Sequence, residues 1–246
     1  VFDGVTDYID ILIPDNLLNE SGFVNKIITE VPEENYEHVE IIGWLYQYYN
    51  QTEKDRAFSS KNKFGKFEIP YVTQLFTPDW IVHFLIDNSI GRIAINSFEN
   101  MDIDLKYYYP SDNDNLKKID LSDPENLTII DPCCGSGHIL VYAFEVLYKI
   151  YKRLGYQKEI IAEKILKNNI FGMDIDDRAG QLSVLSILLK AREYDKNIFS
   201  KINVNDLKII SIQETNNCEY IREQITDETA KLEFDILYST FYNAKE

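Results

Sequence analysis

The stretch that most constrains the fold runs from Thr128 to Ile150. A β-branched run, Thr128-Ile129-Ile130, leads into Asp131-Pro132-Cys133-Cys134-Gly135-Ser136-Gly137-His138, after which apolar residues recur at helical spacing: Ile139, Leu140, Ala143, Phe144, Leu147 and Ile150. Short β-branched runs read as buried strands, and the change to a 3.6-residue period marks a helix. The segment is expected to be a strand over 127–131, a tight turn on Gly135 and Gly137, and a helix over 138–153. A turn of that kind lets a ligand approach bare backbone at the positive end of a helix.

The same alternation continues downstream. Gly155 is placed to stop the helix, a short helix is expected over 157–167, a strand over 169–174, a helix over 177–193 and a further strand within 207–214. Apolar strands alternating with amphipathic helices argue for an α/β fold with a parallel, doubly wound sheet, that is, a Rossmann-like sheet. Upstream, helices are expected through Phe23, Ile27 and Ile28 and over 39–49, the latter with Ile41, Ile42, Leu45 and Tyr48 on one stripe and Trp44 beside it. Residues 51–68 are polar and basic and read as a solvated loop. Thr77 is placed as an N-cap with Pro78 as first helical residue, and the helix that follows is expected to bury Ile81, Phe84, Leu85 and Ile86 and to stop at Gly91. Residues 96–126 are polar and irregular. In the tail, Phe234, Leu237, Tyr238 and Phe241 fit one side of a helix running to Lys245. The expected division is a helical N-terminal region over 1–68 and a ligand-binding region over 69–246.

No apolar run approaches the ~20 residues needed to span a bilayer. The start, Val1-Phe2-Asp3-Gly4, has neither an initiator Met nor a signal-peptide layout, so the chain reads as part of a longer protein. Three cysteines, two of them adjacent (Cys133, Cys134) and the third at Cys218, form neither a disulfide framework nor a zinc spacing. No metal is expected, and a reducing cytoplasm is the default compartment. The net charge of −16 repels nucleic acid, so a parent protein that handles DNA must carry most of its phosphate-binding surface elsewhere.

Which ligand the glycine turn holds can be narrowed by what surrounds it. A Walker loop needs a lysine after its second glycine, and Gly137 is followed by His138. The dinucleotide fingerprint needs a third glycine where Leu140 stands, and an acid about 20 residues on. The acid that ends the next strand here is Asp174, far later. S-adenosylmethionine fits better. Asp174 can accept hydrogen bonds from both ribose hydroxyls, and Ile175 offers an apolar face for the adenine. Asp131 can serve the ammonium, while loop amides and the turn at Thr77 can serve the carboxylate.

These residues resemble the DNA adenine-N6 methyltransferases. Asp131-Pro132-Cys133-Cys134-Gly135-Ser136-Gly137 is similar to their Asp-Pro-x-x-Gly-Ser-Gly motif, Gln74-Leu75-Phe76-Thr77-Pro78 to the cofactor motif ahead of the sheet, and Gly172-Met173-Asp174-Ile175-Asp176 to the acidic motif of the second strand. Ile42-Gly43-Trp44-Leu45-Tyr46-Gln47-Tyr48-Tyr49, Thr77-Pro78-Asp79-Trp80-Ile81-Val82, His138-Ile139-Leu140-Val141-Tyr142-Ala143-Phe144 and Asp174-Ile175-Asp176-Asp177-Arg178-Ala179 look like the PglX family of BREX phage-defence systems. The likeness covers most of residues 8–215; type IIG restriction–modification enzymes and type I modification subunits share much of it. It implies that Asp131, Pro132, Cys133, Gly135, Ser136 and Gly137 form the cofactor loop, that Thr77 and Pro78 face the methionine end, and that Asp174 and Ile175 hold the adenosine. A third motif implies Gln213 or Glu214 near the cofactor adenine, with Asp206 as a rival. It also implies double-stranded DNA as substrate, and defence-system proteins as partners.

The family methylates an adenine flipped out of the duplex, using an Asn/Asp-Pro-Pro-Tyr/Phe motif to hold the amino group. The prolines here are at 14, 32, 70, 78, 110, 124 and 132, and none are adjacent. No catalytic residue is therefore expected within these 246 residues, and the piece alone is expected to be inactive. Two rivals stand beside this reading: a methyltransferase acting on a protein or RNA nitrogen, and a non-catalytic scaffold that kept the fold.

Overall fold

The structure, a computed structural model, describes residues 16–17, 19–37, 41–60, 63–65, 68–110, 121, 123–212 and 222–243. The chain forms two units, one ending at Ile212 and one beginning at Gln213.

In the first unit, helices α1 (Phe23–Glu30), α2 (Ile41–Tyr49), α3 (Gln51–Ser59), α4 (Ile69–Thr73), α5 (Asp79–Ile86) and α6 (Arg92–Ser97) precede the sheet. Then follow β1 (Ile129–Asp131), α7 (His138–Arg153), α8 (Lys158–Lys164), β2 (Ile170–Asp174), α9 (Asp177–Tyr194), α10 (Ile198–Lys201) and β3 (Lys208–Ser211). The strands are parallel in the order β1-β2-β3, with Asp131 opposite Gly172 and Gly172 opposite Ile209. Because each right-handed crossover steps the same way along the sheet, the connecting helices share one face, and α7 and α9 pack on each other. On the opposite face Ile130 and Ile210 are 58% and 56% exposed. Among the described residues, the second helical layer of a doubly wound sheet is not present.

The core is built by α7 and α9. Leu140, Ala143, Phe144, Leu147 and Ile150 of α7 and Ile187 and Ala191 of α9 are buried. Lys152 and Arg153 lie in the last turn of α7, where positive charge suits the helix dipole, and Gly155 at φ +84° ends it. Two buried polar groups fix the layers. Asn169, fully buried, donates to the carbonyls of Pro124 and Leu127 and accepts from the Tyr151 hydroxyl, so every bond it needs is made. Asp87, also fully buried, accepts from the Tyr142 hydroxyl at 2.8 Å and the Tyr107 N–H at 2.9 Å, locking the turn after α5 onto α7.

The helices over 138–153 and 177–194 match the apolar periodicity closely, and five expectations upstream do not hold. Residues 51–59 are helical rather than a loop: Gln51 reaches Asp55 one turn on, Ala57 is buried, and Lys54 donates to the Gln74 carbonyl at 2.7 Å. Thr77 is not the N-cap. Pro78 takes that position and α5 begins at Asp79. Gly91 does not stop the helix, because a wide turn of the π type over Asp87–Gly91 carries it on into α6. Phe84 and Leu85 are 46% and 48% exposed while Val82 and Ile86 are buried, so the buried stripe is rotated from the expected one. In α2, Leu45 and Tyr48 are likewise exposed, and another face packs inward.

The second unit contains α11 (Glu228–Asn243), so the tail is helical as its periodicity suggests. Asp227 accepts the Ala230 N–H at 2.8 Å, and Arg222 forks onto both oxygens of Asp235. Among the described residues, no helix is long and apolar enough to cross a membrane.

Candidate functional site

Parallel strands bring their carboxyl ends to one edge, and the turns that leave β1 and β2 meet there. The Cys134 N–H donates to the Met173 carbonyl at 2.9 Å, stapling the first turn to β2. Gly135 and Gly137 lie in the left-handed region, at φ +54° and +88°. A Cβ on Gly135 would meet nothing within 4 Å, so that backbone faces open space. A Cβ on Gly137 would lie 2.6 Å from Ser183 Oγ, so α9 approaches the turn as closely as a glycine allows.

The second turn supplies carboxylates. Asp174 Oδ2 accepts the Gly135 N–H at 2.7 Å, and its Oδ1 accepts the Asp176 N–H at 2.9 Å. Asp176 caps α9 by accepting the Arg178 N–H, and its other oxygen accepts the Tyr46 hydroxyl. Burial and that bond to a carboxylate push the Tyr46 hydroxyl well above the ordinary phenol range. Asp131 is 8% exposed; its Oδ1 accepts the Cys133 N–H, and its buried Oδ2 has no hydrogen-bond partner among the described residues. Burial raises the Asp131 carboxyl, the Cys133 N–H opposes this, and the charge of Asp174 adds to it. The Cys134 thiol is pushed up to about 12, chiefly by burial, and is inert at neutral pH.

Between these turns and the helices ahead of the sheet lies a cavity of about 270 Å³. The first turn lines it with Pro132, Cys133, Gly135 and Ser136, and the second with Asp174, Ile175 and Asp176. A third side is the segment Thr73–Phe76 with Ile69. The Phe76 ring stacks on His138 with centroids 4.3 Å apart, and His138 Nε2 lies 3.1 Å from Asp79 Oδ1. The fourth side is α2, through Gly43 and Gln47.

Of the residues singled out from sequence, Pro132, Cys133, Gly135, Ser136, Asp174 and Ile175 line this one cavity. Asp131 and Gly137 belong to the same first turn but are not in the lining. Thr77 and Pro78 are outside the lining, and the residues just before them take that side. Gln213 and Glu214 lie outside the described residues, although the chain reaches Ile212 with its N–H bonded to the Asp174 carbonyl at 2.7 Å. Asp206 precedes β3, at the far end of the sheet, and is occupied in a capping box with Asn203. The α2 side carries no apolar signal, because its inward positions are Gly43, Tyr46 and Gln47, with Asn50 just past the helix end. Their i, i+3, i+4, i+7 spacing was the available signal.

Residues 111–225 match the family described as MmeI, DNA-methyltransferase domain. The chain is 39% identical over 226 residues to an adenine-specific methyltransferase BrxX of Escherichia coli, covering 87% of this chain and 18% of that protein. It is 37% identical over 219 residues to an adenine-specific methyltransferase PglX of Lacticaseibacillus casei, covering 81% of this chain and 18% of that protein. It is also 30% identical over 135 residues to a putative type II restriction enzyme and methyltransferase of Methanocaldococcus jannaschii, covering 46% of this chain and 11% of that protein. The chain thus spans less than a fifth of the length of these relatives.

Proposed function

We propose that this chain, which belongs to the adenine-specific methyltransferase family of BrxX and PglX, holds S-adenosylmethionine in the cavity between the two strand-end turns. The single observation that carries this is the sign of the site. The N–H of Gly135, which a phosphate loop would offer to an anion, is given instead to the Asp174 carboxylate. Asp131 and Asp176 add two more acids around the same turn. Such a ring disfavours a polyphosphate and favours hydroxyls and a cation.

The residues fit the cofactor on a second count. The buried Asp131 Oδ2 has no hydrogen-bond partner among the described residues, and the carboxyl's raised pKa reports the cost of that position. A ligand ammonium would supply the counter-charge. Asp174 keeps lone pairs free on both oxygens beyond the two N–H bonds it accepts, enough for a ribose diol. Ile175, 54% exposed at the cavity, offers the apolar surface for a purine. When bound, S-adenosylmethionine supplies an electrophilic methyl group on sulfur. The work of this chain is then to grip the donor's two ends and hold the sulfonium at a fixed depth, which is a positioning contribution.

On this reading the three-stranded sheet is part of a Rossmann-like methyltransferase sheet, with residues 69–246 as its donor-binding region and 1–68 as a helical lead-in. The acceptor is adenine N6 in double-stranded DNA, in a restriction–modification or phage-defence setting in the cytoplasm. The charge of −16 leaves DNA contact to other parts of the protein.

Calorimetric titration of the 246-residue chain with S-adenosylmethionine, ATP and NAD tests the donor reading. Saturable binding of S-adenosylmethionine with no heat from the other two is expected; tighter binding of ATP would reverse it. Incubated with labelled donor and duplex DNA, the same chain is expected to transfer no methyl group to adenine, because it carries no Pro-Pro motif for the base.

A further inference from the structure

We propose that α2 is a working wall of the donor site: Gln47 contacts the bound ligand through its side-chain amide, and Tyr46 and Gly43 hold the helix against the two strand-end turns. The proposal rests on the donor reading above and goes further, because it moves part of the lead-in into the site.

Gly43, Tyr46 and Gln47 stand at i, i+3 and i+4 on one face of the helix, and Asn50, just past its end with its N–H bonded to the Tyr46 carbonyl, continues the row at i+7. Each of the four has a separate connection to the site. Gly43 is buried with no space for a side chain: a Cβ there would lie 2.4 Å from Ser136 Oγ and 3.3 Å from the Phe76 ring. The helix backbone therefore rests directly on the glycine turn. Tyr46 donates its hydroxyl to Asp176, the cap of α9, which fixes the helix to the second turn. Asn50, 4% exposed, donates to Gln74 Oε1 at 2.9 Å and fixes it to the third side. Trp44 adds an edge-on contact to Phe76, with centroids 6.0 Å apart.

Gln47 is the exception among the four. It lines the cavity, and among the described residues its amide has no hydrogen-bond partner. Its neighbours on the face are all committed to protein. A primary amide carries two donors and an acceptor, and one facing a polar cavity is placed to bond whatever enters. Two apolar residues of α2 point the other way: Leu45 and Tyr48 are 53% and 76% exposed. So the face of α2 that carries Gly43, Tyr46 and Gln47 is seated on a site, with Trp44 packing beside it on Phe76. A helix that serves only as spacer would be seated the opposite way round.

The test combines calorimetry with hydrogen exchange on the 246-residue chain. Gln47→Ala is expected to weaken S-adenosylmethionine binding about tenfold, the loss of one good hydrogen bond, with the unliganded melting temperature unchanged. Gln47→Asn, one methylene shorter, is expected to recover only part of it. In the unaltered chain the ligand is expected to slow amide exchange across residues 41–49, and Tyr46→Phe is expected to speed exchange there even without ligand. A double-mutant cycle of Gly43→Ala with Ser136→Ala is expected to show partial rescue, since the second change removes the 2.4 Å contact. If Gln47→Ala binds as the parent does while Asp174→Ala does not bind, the inference falls and the donor reading stands. If the ligand binds without altering exchange in 41–49, the wall falls likewise. If the unaltered chain neither binds the donor nor gains protection, both fall.

Discussion

The turn after β1 (residues 131–138) and the turn after β2 (residues 174–177) perform the same topological task with opposite chemistry. Each ends a strand in an aspartate and starts a helix. The first is built of backbone: two left-handed glycines, a free-facing Gly135, and an aspartate whose buried Oδ2 has no hydrogen-bond partner among the described residues. The second is built of side chains: Asp174 and Asp176 each accept two hydrogen bonds, and one of those bonds restrains the first turn. The first turn is closed by two bonds of its own, Cys133 N–H to Asp131 Oδ1 and Gly137 N–H to the Cys134 carbonyl, while its open-facing Gly135 is held from outside. One acid of the neighbouring turn, Asp174, supplies that restraint, which is why the two must be read as one site. The difference also assigns tasks, with the first turn shaped to accept a ligand and the second to organise the first.

Removing the organiser should have the largest effect. Asp174→Ala takes away the acceptor for Gly135 and the proposed ribose contact together, so affinity for S-adenosylmethionine should drop by about a hundredfold or more by calorimetry. Binding at parental strength would mean that the first turn needs no help from the second. Next come the two glycines, which share a left-handed backbone but differ in surroundings. Gly137→Ala should cost about 2–4 kcal/mol in denaturant unfolding, because a left-handed conformation and a collision with Ser183 Oγ add up. Gly135→Ala has only the backbone term, about 1–2 kcal/mol, since its Cβ meets open space. Equal losses would show that the close approach of α9 is not maintained in solution.

The smallest effect is expected from Asp131→Asn, and its sign is the informative part. Burial holds the Asp131 carboxyl above its unfolded value. Its contribution to stability is therefore full below the ordinary carboxylate range and is lost as pH rises through the raised value. At neutral pH the unliganded Asp131→Asn protein should melt slightly higher than the parent, with the gap closing as pH falls toward about 4. The same variant should bind the donor more weakly, since it has no charge to offer an ammonium. A variant that melts lower at neutral pH would show that Oδ2 as well as Oδ1 has a partner in the unliganded protein.

Much of this could be read in the chain. Helices α7 and α9 follow from periodicity, because each buries a regular apolar stripe, and the three strands from their short β-branched runs, although Ile130 and Ile210 stay exposed. Asp174 was legible as the acid closing the second strand, and Gly135 and Gly137 as the turn. Upstream of the sheet the local pattern and the structure part. Residues 51–59 looked like a solvated loop because Lys54 and Arg56 carry charge, yet Lys54 is spent on the Gln74 carbonyl inside the fold. Thr77 looked like a cap because cap chemistry is local, but Pro78 took the position and left the Thr73–Phe76 segment to line the cavity. In α2, Leu45 and Tyr48 suggested an inward stripe, and the helix is seated by Gly43, Tyr46, Gln47 and Asn50 instead.

By itself, then, the sequence determined the strand–turn–helix units, the glycine turn and the acids that end its strands, since those depend on residues close together in the chain. Only the tertiary structure decided that Asp174 holds Gly135 and that α2 lies across both turns with Gln47 facing the cavity. The reason is physical. Local patterns report which face of an element is apolar, but a binding site is lined by polar groups and bare backbone, and which element brings them together is settled by packing between segments 39 and 130 residues apart.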